Sequence, residues 1–226
     1  MSRLGSPRLH LRATTSTNDR ARELAQAGAP HGTLVTAGEQ SAGRGRQGRS
    51  WSAPAGSALL MSLVFRDVPA LLPLAAGLAV AEAAGPAALV KWPNDVLVDG
   101  RKVAGILAEG RPHEGWAVLG IGLNVAVRIE DLPPELHETA GTLGLPASEL
   151  EPMLARVLTA LERTLALDTS ALLDAYRARD ALRGNAIAWA DGSGRAAGID
   201  GAGRLVVELA GGGRTALGAG EVHLLG

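Results

Sequence analysis

The sequence predicts an α+β protein: a β-sheet flanked by helices over residues 1–182, followed by a small β-barrel over residues 183–226. Three observations predict it. Residues 58–65, ALLMSLVF, form an apolar run of buried-strand length, and residues 89–127 break into consecutive alternating stretches. Segments 70–84, 151–167 and 170–182 carry leucine and alanine at helical spacing. After Gly184 the texture changes to short alternating runs punctuated by glycine-rich turns, the pattern of a small all-β module.

Taken in order, Leu9 and Leu11 mark a first short strand. The segment STNDRARELAQAG then reads as a helix: Ser16 or Thr17 is placed to cap it, Asp19 falls in the first turn and Gly28 stops it before Pro30. A helix start with free backbone donors also suits a polar ligand group, so Ser16, Thr17 and Asn18 are read either as caps or as ligand contacts. Residues 32–37 read as a strand leading into a loop, 38–51, whose far end feeds the apolar strand 58–65. In the helix 70–84, Pro73 lies in the first turn. Asp99-Gly100 sits between alternating stretches and signals a tight hairpin, and residues 116–125 supply a further strand. Gly120 and Gly122 within it point to close approach by a ligand or another backbone. Lys91, Asn94, Asp95, Lys102 and Asn124 lie among these strands and each needs a partner, since an unpaired buried polar group costs roughly 1–3 kcal/mol.

Composition excludes several classes of function. There is no cysteine, so no disulfide framework, thiolate nucleophile or Cys-based metal site exists. No stretch has the length and apolarity of a signal peptide core or a bilayer span, so a cytoplasmic protein with no membrane partner is expected. The net charge of −1 argues against a general nucleic-acid binder. The five histidines are scattered singly and indicate neither a zinc cluster nor a triad, so no metal-ligating residue is assigned.

Cationic charge is instead local, in GEQSAGRGRQGRSW at residues 38–51. Glycines 43, 45 and 48 let the backbone come close to a ligand, while Arg44, Arg46 and Arg49 offer forked donors suited to carboxylate and phosphate oxygens. Such a loop is expected to be mobile alone and to close over an anion; the plain alternative is a solvated surface loop. GRGRQGRS lacks the Gly-Lys-Ser/Thr ending of a P-loop, and the glycines near Leu119 form no dinucleotide fingerprint. A cationic group without an evident nucleophile suits chemistry in which the substrates bring the reactive groups, such as activation of a carboxylate by ATP.

STN at 16–18, GRGRQGRSW at 43–51, KWPNDV at 91–96, GRKVAGILAE at 100–109 and GIGLNV at 120–125 resemble, in order and spacing, the successive motifs of the biotin protein ligases. With the terminal GEVHLL, the resemblance covers essentially the whole chain. It implies a mixed β-sheet catalytic domain of the biotin/lipoate ligase type over 1–182 and an SH3-like β-barrel over 183–226. It also implies that biotin and ATP, with Mg2+ carried on the ATP, form biotinyl-5′-AMP, and that the biotin then passes to one lysine of a biotin carboxyl carrier domain.

By the same resemblance, Ser16, Thr17, Asn18 and Gln40 bind biotin, and Arg44 and Arg46 close over biotin and the adenylate phosphate. Arg49 and Trp51 hold the nucleotide, with the indole against adenine. Lys102 bridges the biotin carboxylate and the α-phosphate. Asn94, Asp95 and Asn124 fall on the nucleotide or acyl-transfer side, Asp95 either orienting the incoming lysine or serving a structural hydrogen bond. Lys91 is read either as functional or as shielding a sheet edge, and Trp92 as core. Gln47 departs from relatives that carry another cation there. The first ligase motif falls within the opening residues, so a monofunctional enzyme without DNA binding is expected if Met1 is the native start. The competing readings are a nucleic-acid binder built on GRGRQGR and a lipoate ligase; the arginine-glycine loop and GRKVAGIL favour biotin. Oligomeric state is not readable, nor is whether the β-module meets ATP or the carrier.

Overall fold

Alternation along the central strands decides the layering. On β5 (Ala58–Phe65), every residue is buried, which requires cover on both faces of the sheet. Leu59, Met61, Leu63 and Phe65 point into the main core, while Ala58, Leu60, Ser62 and Val64 belong to the opposite face. The computed structural model describes residues 4–111 and 114–225, so Met1 and His113 lie outside the described residues.

The chain enters through β1 (Arg8–Leu11), α1 (Thr17–Gln26) and β2 (Leu34–Ala37), with β1 and β2 parallel. The predicted loop follows, and it contains a miniature hairpin of β3 (Gly43–Arg44) and β4 (Ser50–Trp51) around a 3-10 turn at Arg46–Gly48. After β5 come α2 (Leu72–Ala84), β6 (Leu89–Lys91), β7 (Asp95–Val98), β8 (Arg101–Arg111) and β9 (Trp116–Asn124). These strands build a seven-stranded mixed sheet in the order β1-β2-β5-β9-β8-β7-β6. The β7–β8 connection is the predicted tight hairpin: Asp99 at φ 51° and Gly100 at φ 75° are both left-handed, as a type I′ turn requires.

α2 packs with α3 (Leu150–Leu165) and α4 (Thr169–Arg177) over one face of the sheet, and Trp92 lies in that core, as the sequence reading had it. α1 covers only part of the other face, through Ala21 and Ala25 against Val35, Val64 and Val118. The rest of that face is left to the site. The last helix stops earlier than the predicted 182. Val90 of β6 donates to Arg179 O and accepts from Ala181 N, so the chain beyond Arg177 pairs with the edge strand instead of continuing its own helical ladder.

The carboxyl-terminal part is the SH3-like module: β10 (Ala186–Trp189), β11 (Gly192–Ile199), β12 (Leu205–Glu208), β13 (Arg214–Leu217) and β14 (His223–Leu224), antiparallel in the order β13-β12-β11-β10-β14. Ile187, Ile199, Leu205 and Val222 join the same apolar cluster as α2, and Trp92 Nε1 donates to Gly203 O at 3.0 Å. The module therefore packs on the back of the sheet and reaches the site with Glu221, His223 and Leu224. Among the described residues no helix is long and apolar enough to cross a membrane.

Replacing Gly100 by alanine places a Cβ at a left-handed position. Urea denaturation is expected to show a loss of about 1–2 kcal/mol, without a change in slope.

Candidate active site

One irregularity in β8 determines which side chains reach the open face. Across β7–β8 the register runs Asp95↔Gly105 and Val96↔Ala104, then shifts to Leu97↔Lys102, leaving Val103 as an extra residue in a β-bulge. Ala104 and Ile106 face the apolar core, and strict alternation would send Lys102 there with them. The bulge buries Val103 instead and turns Lys102 to the face shared by Gly105, so that its Cε lies 3.4 Å from where a Gly105 Cβ would stand.

That face borders a cavity of about 510 Å3. All twelve residues singled out from the sequence as site candidates line it: Ser16, Thr17 and Asn18 at the start of α1, Gln40, Arg44, Arg46, Arg49 and Trp51 of the loop, and Asn94, Asp95, Lys102 and Asn124 of the sheet. Lys91 of β6 lines it as well. Burial pushes the Lys91 ammonium below the usual lysine range, against the pull of Asp95.

At one end, the first turn of α1 is held from outside the helix. Ser16 is extended and buried, yet its hydroxyl makes no cap. Gln40 Oε1 does that work, accepting from Thr17 N at 2.7 Å and from Thr17 Oγ1 at 3.0 Å. Ser62, the one polar residue in the apolar run of β5, lies 2.8 Å from Thr17 Oγ1 and 2.6 Å from Asn18 Oδ1. Asn18 Nδ2 donates to Glu109 Oε2 at 2.8 Å. Gly120 makes the arrangement possible, since a Cβ there would sit 2.1 Å from Asn18 Oδ1.

Over the middle of the cavity lies Trp51, on a floor stripped of side chains. Gly105 and Gly122 are cross-strand partners, and Cβ atoms on them would come within 3.0 and 2.5 Å of the indole. The approach anticipated at Gly122 and Gly120 is thus made in this structure by the side chains of Trp51 and Asn18. Lys102 Nζ stands 5.9 Å from the indole centroid, within cation–π range, and 2.6 Å from Asp95 Oδ1. The Asp95 contact is an ion pair without hydrogen-bond alignment.

The nucleophile-free remainder is amide chemistry. Asn94 accepts from Arg46 Nη1 at 3.0 Å and donates to Ile106 O at 3.1 Å. Asn124 is buried and donates to Gly141 O at 2.8 Å, but its Oδ1 has no partner within the protein; neither has Trp51 Nε1. Leaving such groups unpaired costs roughly 1–3 kcal/mol each, which a ligand with a matching donor or acceptor would recover. Arg49 pairs with Glu221 of β-module origin.

Sequence reading missed Ser62, Glu109 and Glu221 as members of this assembly. Ser62 had a signal, a lone hydroxyl inside an eight-residue apolar strand. Glu109 lies two and four residues from Leu107 and Gly105, on the same face of β8. Glu221 stood in the terminal GEVHLL, but its place at the site depends on how the β-module docks.

The fold of this chain, a mixed sheet flanked by helices with an antiparallel β-module at its end, matches solved biotin protein ligases. The solved biotin protein ligase from Aquifex aeolicus in complex with biotin and ATP matches with TM-score 0.82 at 26% identity, covering 97% of this chain and 99% of that one. The chain belongs to the biotin/lipoate A/B protein ligase family, whose model matches residues 11–125. The biotin--[acetyl-CoA-carboxylase] ligase of Mycobacterium tuberculosis is 38% identical over 235 residues, 93% of this chain and 86% of that protein. The bifunctional ligase/repressor BirA of Bacillus subtilis is 43% identical over 147 residues, 60% of this chain and 45% of that protein. The chain spans about half the length of this relative and of a second Bacillus BirA, covering 45% and 49% of them.

Gly122→Ala should lift the indole from its floor. Comparing tryptophan emission with that of Trp51→Phe isolates the one ring concerned. The emission change caused by Gly122→Ala is expected to vanish when it is made in the Trp51→Phe background and compared with Trp51→Phe alone, whereas a difference that persists there would place the disturbance elsewhere.

Proposed function

We propose that this protein activates biotin with MgATP to biotinyl-5′-AMP and passes the biotinyl group to one lysine of a biotin carboxyl carrier domain. The observation that carries the reading is the convergence on one cavity of the arginine hairpin, the bulge-turned Lys102 and a set of neutral amides. Support also comes from the names of the relatives, one a biotin--[acetyl-CoA-carboxylase] ligase, and from the Aquifex neighbour, whose complex holds biotin and ATP. Among the described residues no group of three or more His, Cys, Asp or Glu is arranged to hold a metal ion. Mg2+ belongs to the substrate, on the phosphates of ATP.

In the first step a biotin carboxylate oxygen bonds to the α-phosphorus while the bond from phosphorus to the pyrophosphate oxygen breaks, and pyrophosphate leaves. Two anions must meet, and a pre-placed ammonium offsets their repulsion and the charge growing on the phosphate oxygens. Lys102 supplies it. A compact ammonium on a flexible stem can exchange Asp95 for substrate oxygens without moving the strand. Arg46 and Arg49 extend the cationic wall toward the phosphates. Ser16, Thr17, Asn18 and Gln40 offer the short polar contacts that a ureido group needs. The orphan acceptor on Asn124 suits an N–H of the nucleotide base, and the indole of Trp51 offers it a stacking surface.

In the second step the neutral amine of the carrier lysine attacks the acyl carbon, the C–N bond forms, the bond to the phosphate oxygen breaks and AMP leaves with the proton released. Asp95 lies beside Lys102, where it can orient that amine. The arginine hairpin, meanwhile, keeps the mixed anhydride from water.

Incubation with labelled biotin, MgATP and a carrier domain tests the whole reading. Label on a single carrier lysine with one AMP per transfer is expected; label arriving from lipoate instead of biotin, or none at all, ends it. Lys102→Met is expected to slow pyrophosphate release on the order of 10²-fold while biotin still binds, as for removal of one charge-stabilising donor. Release at the wild-type rate would remove Lys102 from the reacting centre.

A further inference from the structure

Four charged side chains beside the cavity close into a ring that no step above uses. Arg22 and Asp19 lie one turn apart on α1, Arg44 is on the hairpin, and Glu109 is on β8. Arg22 Nη1 donates to Asp19 Oδ1 at 3.0 Å and its Nη2 lies 3.1 Å from Glu109 Oε1. Arg44 repeats the pattern: Nη1 donates to the same Asp19 Oδ1 at 2.7 Å, and Nη2 lies 2.9 Å from the same Glu109 Oε1. Each guanidinium spans both carboxylates, so two cations and two anions alternate and cancel. The other oxygen of Glu109 receives Asn18 Nδ2 at 2.8 Å.

Isolated ion pairs at this exposure contribute little. This one differs in geometry, because each fork uses two donors on two acceptors and the members come from three elements far apart in sequence. The raised pKa of Arg44, due first to its hydrogen bond with Asp19 and then to the charges of Glu109 and Asp19, follows from that geometry. Arg46 stands in contrast. Its partner is the neutral Asn94 amide, and among the described residues no carboxylate pairs with it.

We infer that Glu109 is the positioning residue of the arginine hairpin: by closing the ring it fastens Arg44 to helix α1 and strand β8 and orients the Asn18 amide, so that Arg44 anchors the loop while Arg46 is left to face the substrates. This rests on the proposed ligase site, and it reassigns Arg44 within that site from substrate contact to anchor. Gly43 lets the arm that carries Arg44 lie against the closing strand, since a Cβ there would stand 2.3 Å from the O of its cross-strand partner Trp51.

The test uses the intact protein with Glu109→Gln, Arg44→Met, the double variant, and Asp19→Asn as the other carboxylate that holds Arg44. Limited trypsin digestion, read by mass spectrometry, needs no substrate. Cleavage after Arg46 and Arg49 is expected to rise roughly 5-fold or more in Glu109→Gln, with the melting temperature nearly unchanged, as for local loosening rather than global unfolding. The double variant should be cut no faster than Arg44→Met, since the two residues act through one ring. In turnover, KM for biotin is expected to rise about 10-fold with kcat within about 2-fold, as for a lost binding geometry. Should Glu109→Gln fail to fold, Asp19→Asn, which removes the charge of the other carboxylate holding Arg44, is expected to give the same loop-restricted cleavage. Wild-type cleavage in the folded variants, additive effects in the double variant, or a loosened loop with unchanged KM in an active enzyme overturns the inference. Loop-restricted cleavage in a protein that makes no adenylate would uphold the ring and end the ligase reading instead.

Discussion

The site depends on a single extra residue in one strand. Without the bulge at Val103, Lys102 would share the face of Ala104 and Ile106 and point its ammonium into the apolar core, where burying a charge is costly. With it, the strand keeps three buried apolar side chains in near succession and still delivers a cation to the opposite face. The tight turn at Asp99 and Gly100 fixes where β8 begins, and the pairing of Lys102 N with Thr139 O and of Lys102 O with Gly141 N holds the bulged edge from the far side.

Around that lysine the face is defined as much by missing side chains as by present ones. Gly105, Gly120 and Gly122 lie on adjoining strands, and the volume they leave is taken by the Trp51 indole and the Asn18 amide. Carboxylates are then distributed so that each cation has a different degree of freedom. Arg44 is neutralised twice, Arg49 once by Glu221, and Lys102 by an ion pair of poor hydrogen-bond alignment, while Arg46 meets only an amide. This is the grading expected where fixed charges hold a loop and exchangeable ones meet anions.

Much of this was legible in the sequence, for physical reasons that differ by element. The Asp99-Gly100 turn was readable because few residues tolerate two successive left-handed positions, and β5 because an eight-residue run with seven apolar side chains between turn signals has few other fates. The motif residues converge on one cavity because they sit at strand ends, at a helix start and in the loop facing them. What stayed hidden depends on relations between elements. The bulge at Val103 cannot be seen in a run of alternating residues that reads well in either register. Gln40 reaching across to cap α1, with Ser16 left uncapping, needs the packing of loop on helix. The end of α4 at Arg177 is set by pairing with β6, which helical spacing through residue 182 could not foretell. The ring of Arg22, Asp19, Arg44 and Glu109 joins a helix, the hairpin and a strand, so it exists only once those three elements pack.

The central claim is that the bulge presents Lys102 to the reacting centre. A crystal structure with biotin and a non-hydrolysable ATP analogue, or with biotinyl-5′-AMP, tests it most directly. Lys102 Nζ is expected within about 2.6–3.2 Å of both a biotin carboxyl oxygen and a non-bridging α-phosphate oxygen. An ammonium that stays on Asp95, with both substrates bound beyond its reach, would contradict the account.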